Sequence, residues 1–439
     1  MSQRVNRIAF INPNGELETI SPDGSDRRLL TVGNRYFQFP AWSPDGRRIA
    51  AVGGAPDRAG VFVFEDQAGD APHPSPPHAI YESDHEAPVY VFWSPDGHHL
   101  SFITNRPDEQ SLGLHIAPVT DAPFSPFAPT SSRLVATGRP CFWDWSADGK
   151  RILLHTGTAS EEGAQLKFID PFNPASGNAS LARPGLFQAP GIARSGRFWA
   201  FGQVSQAGER HLVVDGRNAD NRLLVPHHGI AAMSWSPTRD QLAYISPAAP
   251  ARTYYGPLRV LDATTGKATL IADDIVLAFF WSPNGRHIAY FTLAHIAEHV
   301  RHHILPNADA AARHGGFRDG AAIESEHAVR EAESEPEEIA EVRALWFNLW
   351  VVDIEQDEHW LITTFEPVEA FVNYFLPFFD QYALSHRIWS PDSDAVVLPM
   401  AKRDESGDER PLIYVVPTPR RRGPPKPIAE GDMAFWSQC

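Results

Sequence analysis

Short apolar runs, each bounded by polar turn residues, recur along the whole chain, and in most of them a Trp closes one run just before the turn that opens the next. AWSPDGRRIAAVGG from Ala41 shows the pattern: an apolar stretch ending in Trp42, the turn Ser-Pro-Asp-Gly, then the apolar run IAAV. Runs of this length with turn chemistry between them predict β-hairpins, with Pro presetting φ, Asp bonding back to the backbone and Gly taking the left-handed position. The pattern returns as VFWSPDGHHLSFIT from Val91, WDWSADGKRILLHT from Trp143 and MSWSPTRDQLAYIS from Met233. It appears again as FFWSPNGRHIAYFT from Phe279 and RIWSPDSDAVVLPM from Arg387, while GIARSGRFWAFGQ from Gly191 has Ile192 in place of the Trp. The last copy, MAFWSQC, stops after its first strand.

A second strand pair follows in most copies, as in RVLDATTGKATLIA from Arg259, so each unit predicts a four-stranded antiparallel sheet. The signature positions Trp42, Trp93, Trp145, Ile192, Trp235, Trp281, Trp389 and Trp436 are mostly separated by roughly 43 to 52 residues, the blade period of a β-propeller. The fold expected is therefore an all-β propeller of eight blades, or of seven if the unit at Ile192 forms none. RIAFINPNGELETISPDGSDRRLLT near the N-terminus is a blade lacking its first strand, which the C-terminal FWS supplies. Both termini then share one blade, which seals the ring and removes an open inner edge.

The Trp-Ser-Pro-Asp-Gly turn followed by an apolar strand resembles the TolB-type, or PD40, propeller repeat, which also occurs in propellers of prolyl-oligopeptidase-like and tricorn-type peptidases. The resemblance covers nearly the whole chain and implies a WD40-like propeller. It departs from the WD40 pattern of Gly-His and terminal Trp-Asp, and from the sialidase box, because here the Trp precedes the turn.

Composition narrows the function classes. The 439 residues are 43% hydrophobic and 21% charged, the balance of a globular protein, with a net charge of -16. An acidic surface repels phosphate backbones and anionic lipid, so nucleic acid is not an expected partner. No apolar run approaches the ~20 residues that cross a bilayer, and the N-terminus does not read as a secretory signal, so neither membrane insertion nor export is expected. Cys141 and Cys439 alone give no disulfide framework, which suits a cytoplasmic location. G-x-S-x-G is absent, so the hydrolase elbow of a peptidase is not expected, and a single propeller domain over residues 1–439 is.

Three stretches depart from the repeat. Between Trp281 and Trp389 the interval doubles, and residues 294–344 predict a helical insertion, His-rich then acidic, within the blade that starts near Trp281. His295, Glu298 and His299 spell H-x-x-E-H, a spacing that puts two imidazoles on one helix face and suits zinc, though an ordinary polar helix has the same pattern. The second stretch, from Glu366 to Ser393, concentrates Phe371, Tyr374, Phe375, Phe378, Phe379 and Tyr382. These, with Asp380, Gln381 and His386, form either a partner-binding loop at the mouth of the ring or packing that seats the insertion. On an extended strand Ser385 and His386 would diverge, which argues against a triad with Asp380. The third stretch, PTPRRRGPPKP, places Arg420, Arg421, Arg422 and Lys426 in a Pro-rich hairpin, a basic tip or a solvated loop.

The function expected is a non-catalytic protein- or peptide-binding scaffold with no cofactor, because propellers host many activities and no catalytic constellation stands out. The alternative is a propeller enzyme, a metal-dependent carbohydrate lyase or hydrolase. Similarity to the repeats of oligogalacturonate lyases would then bring inner-strand ligands such as His85, His155, His287 and His386 together.

Overall fold

The structure, a computed structural model, describes residues 5–31, 35–55, 57–66, 76–119, 132–158, 163–173, 180–185, 188–216, 222–249, 254–294, 345–403 and 409–438. Apart from Ala294, the predicted insertion, with His295, Glu298 and His299, lies outside the described residues.

Each repeat closes its hairpin through the same local bonds. At Ser94 the hydroxyl donates to Asp96 Oδ1 (2.6 Å) and accepts the His99 amide (3.0 Å), Asp96 Oδ1 accepts the His98 amide (3.0 Å), and Gly97 sits at φ 72°. Ser43, Ser146 and Ser282 repeat this arrangement with Asp45, Asp148 and Asn284. These contacts span five residues or fewer, so the turn forms from its own sequence. Where the Gly is missing, Ser393 takes the left-handed conformation at φ 58° and Asp394 accepts the Ser390 hydroxyl.

The sheets are antiparallel, and the described residues form almost entirely strands and turns, as a propeller requires. Among the described residues four are four-stranded and two are three-stranded, while a seven-stranded sheet runs from Ala232–Trp235 to Glu358–Phe365. Within that sheet the long strand Ala268–Trp281 pairs with Gly256–Asp262 along its first part and with His287–Leu293 along its second, so it belongs to two repeats. On either side of residues 295–344, Leu293 pairs directly with Phe347, and Ala294 N–H donates to Trp346 O (2.8 Å). The doubled interval therefore opens from one hairpin loop. Asp432–Trp436 pairs with Ile8–Ile11 as the first strand of the N-terminal sheet, so the two termini share a blade as predicted.

Neighbouring blades are joined at the signature positions. The Trp93 indole donates to Ala41 O (2.9 Å), Trp42 to Phe435 O (3.2 Å), Trp281 to Ser234 O (3.1 Å) and Trp389 to Phe280 O (3.0 Å), each acceptor standing just before the preceding Trp. Trp145 reaches Phe92 O through the Ser101 hydroxyl, and Trp235 donates to Gly191 O (3.0 Å), beside Ile192. Ile192 has no indole, so its backbone N–H donates to Asp144 Oδ2 (2.7 Å) instead. At the seam the Trp436 indole turns to Asn6 Oδ1, and its backbone N–H joins the previous blade at Arg387 O (2.7 Å). Buried indoles need a partner for their N–H, and here that need fixes the spacing between blades.

Candidate functional site

The segment from Glu366 to His386 corrects the expectation of an open aromatic surface. It forms a π-helical turn Phe371–Phe375, a 3-10 turn Leu376–Phe378 and a helix Phe379–Ser385, which we label α1. Phe371, Phe375, Phe379, Tyr382, Asp380, Gln381, Ser385 and His386 are buried, Phe378 is half-buried, and Tyr374, 40% exposed, is the only one of the predicted aromatics that remains at the surface. The segment sinks because its apolar residues recur at helical spacing, Phe371, Phe375, Phe379 and Tyr382, and find apolar inner strands on every side.

Its partners lie in nearly every repeat. The Gln381 side-chain amide accepts Trp143 N–H (3.2 Å) and donates to Trp143 O (3.0 Å), completing the edge of an inner strand as a neighbouring strand would. Tyr254 OH donates to Leu376 O (2.7 Å), and the Phe379 ring packs edge-on to Phe279, 5.2 Å between centroids. Phe39 and Phe435 flank Tyr382 and Phe375. The segment is a plug that fills the centre of the ring.

Ser385 and His386 do meet, contrary to the expected divergence, because helix geometry rather than a strand carries them. The Ser385 hydroxyl donates to His386 Nδ1 (2.6 Å), since Nε2 donates to Phe39 O (3.1 Å), and it accepts the Tyr90 hydroxyl (2.5 Å). Burial pushes His386 down to about 4, so the ring is neutral and this tautomer holds. At 3% and 2% exposure the pair is closed to any substrate, and Asp380 is engaged elsewhere, accepting the Ala189 amide (3.3 Å). The arrangement is a hydrogen-bonded lock between plug and ring.

Two carboxyls are buried in and beside this lock. Burial raises Asp380 and Asp144 each to about 7, although backbone amides partly oppose it. A pKa above the unfolded value of 3.8 means that the folded state binds more protons. The stability it contributes is therefore full below about pH 4 and lost as pH rises through about 7. Asp380→Asn keeps an acceptor for the Ala189 amide without the buried charge. Its melting temperature is expected to exceed the parent's near pH 8 and to match it near pH 5, and an equal difference at both pH values would refute this reading.

The histidines of the enzyme alternative stand apart. His85 is exposed beside Asp84, His155 lies between Gln188 O and Gly157 O, His287 packs under Trp389 and faces Asp353, and His386 is in the lock. Among the described residues, no three His, Cys, Asp or Glu side chains are grouped so as to hold a metal ion. Arg420, Arg421 and Arg422 are exposed at their hairpin tip. No helix among the described residues is long and apolar enough to cross a membrane. Tyr90, Trp143 and Tyr254 carry the lock from the ring side and were not singled out in the sequence, although Tyr90 and Trp143 stand two or three residues before a signature Trp.

No protein family and no characterised protein matches the chain by sequence. Solved structures do: TolB from Acinetobacter baumannii, 16% identical over 60% of this chain, with a TM-score of 0.37, and the chain spans 62% of that protein. A eukaryotic initiation factor is 10% identical over 100% of this chain and 99% of its own, with a TM-score of 0.46. Puromycin hydrolase is 19% identical over 66% of this chain and 49% of its own, with a TM-score of 0.42. Likeness at this level assigns no activity. What the chain's own sheets and repeated turns establish is a β-propeller fold.

Proposed function

We propose that the protein is a non-catalytic scaffold that binds a protein or peptide partner through the outside of an eight-bladed ring. The plug carries this reading: the centre of the ring, where a propeller would admit a ligand, is occupied by Phe375, Phe379, Gln381 and Tyr382 of the chain itself. Outer strands, loops and the residue 294–344 insertion then remain as recognition surfaces. The count of eight rests on the circuit of contacts from Trp42 round to Trp436, each signature position meeting the one before it. A cytoplasmic location belongs to the same reading and rests on the low cysteine content.

Affinity capture from the native cell tests it, using the full chain and a version in which residues 295–342 are replaced by a short Gly/Ser linker, with co-purifying proteins and metals identified by mass spectrometry. A stoichiometric protein partner is expected with the full chain, and its loss with the shortened one would place recognition on the insertion. A stoichiometric metal held by both versions, with no protein partner, would overturn the scaffold reading.

A further inference from the structure

The outermost strand of a blade presents unpaired N–H and C=O groups, and proteins protect such edges with brevity, charge, Pro or a covering segment. Most outer strands here are protected in this way. Arg28–Leu29 has two residues, Leu223–Pro226 has four and ends in Pro, and Lys426–Glu430 carries Lys426 and Pro427. Gln165–Ile169 is covered, with Leu181 N–H donating to Leu166 O (2.7 Å). Arg133–Gly138 opens on Arg and ends on Gly, and His78–Ser83 has six residues with Glu82 near its end.

Two outer edges lack such protection: the first part of Ala268–Trp281, where ATLIA from Ala268 is flanked by Lys267, Asp273 and Asp274, and Glu358–Phe365, the longer of the two. Glu358–Phe365 is eight residues long, it ends its sheet with no described strand beyond it, and Trp360–Thr364 reads WLITT, with no charge, Pro or Gly and a single bulge between Leu361 and Thr363. Leu361 is 51% exposed and Trp346, on the chain entering the neighbouring strand, is 44% exposed. At the start of the strand Asp357 and Glu358 are exposed, and Glu358 has no ion pair among the described residues. Glu355 is already held by Arg239.

We infer that the outer edge of Glu358–Phe365 is a strand-addition site for an extended segment of a partner protein, rich in β-branched or aromatic residues and basic at the end that lies beside Glu358. Main-chain hydrogen bonds supply the affinity in this mode, and alternate side chains together with the terminal charge supply the selection. Antiparallel addition places the segment's C-terminal end next to Glu358, so the basic residues belong there. The inference rests on the scaffold reading and names its partner's chemistry.

Two labelled nine-residue peptides of alternating Val and Thr, one ending in two Lys and one in two Glu, test it by fluorescence anisotropy with the full chain. The Lys-ended peptide is expected to bind at least roughly tenfold tighter, Glu358→Gln to erase that preference, and Leu361→Lys to weaken binding roughly tenfold with an unchanged melting temperature. Failure of both peptides to bind, or equal binding by Leu361→Lys, overturns the site. A dimer of the parent chain that Leu361→Lys dissociates would make a second copy the occupant and overturn the partner. Affinity capture separates the two readings: a partner retained by Leu361→Lys removes strand addition and leaves the scaffold, whereas no partner with either version removes the scaffold itself.

Discussion

A chain ending at Phe435 is expected to lose its cooperative melting transition. Trp436 is 1% exposed, packed with Ile8, Phe10 and Val397, and emptying such a site costs about 3–5 kcal/mol. The same truncation strips Arg387 O of the Trp436 amide, and Arg7 of both its bonds to Ser437, donated by Arg7 N–H to Ser437 Oγ (3.2 Å) and by Ser437 N–H to Arg7 O (2.9 Å). Each buried group left without a partner costs a further ~1–3 kcal/mol. Against a total stability of about 5–15 kcal/mol, these losses together leave little. Calorimetry and size-exclusion chromatography check the outcome, and Trp436→Phe, which keeps most of the packing, should melt between the parent and the truncated chain. A truncated chain that melts like the parent would mean that the pairing of the termini does not hold the ring.

Phe379→Ala is the second large effect expected, at about 3–5 kcal/mol. Phe379 is fully buried, and its ring lies against Phe279, Phe280 and Tyr254, with centroids 5.2, 5.8 and 5.8 Å away. Phe279 and Phe280 lie on the inner strand of one repeat and Tyr254 on the chain leading into Gly256–Asp262 of the repeat before it, so the cavity cannot be closed by a small shift of one blade. Tyr374→Ala, on the exposed side of the same segment, is expected to stay within about 0.5 kcal/mol of the parent. Chemical denaturation of both variants decides it: equal midpoints would remove the plug from the account of stability.

Sequence made the ring readable because its parts are local and repeated. The bonds of Ser94, Asp96, Gly97 and His99 lie within one turn, and the half-blades at the two ends are complementary in the text of the chain itself. The plug was hidden for the opposite reason. Gln381 pairs with Trp143 across 238 positions, and Tyr90 bonds Ser385 across 295. One signal was present, the spacing of Phe371, Phe375, Phe379 and Tyr382 at helical intervals, but Pro377 interrupts it and the following Trp-Ser turn suggested another strand. Burial then decided the roles of Asp380, Gln381 and His386, which as exposed side chains would have looked like a binding surface.

The position of the plug in the chain orders the assembly of the molecule. Phe39 is synthesised about 340 residues before Phe379, an interval of roughly 20–70 s at ordinary translation rates. Until the plug is made, the apolar inner faces at Phe39, Tyr90 and Trp143 have nothing from it to pack on, while the last blade and the closing strand with Phe435 arrive after it. The ring is thus finished around its filling instead of being filled after it closes, and the newborn chain must carry an uncovered apolar interior for most of its synthesis.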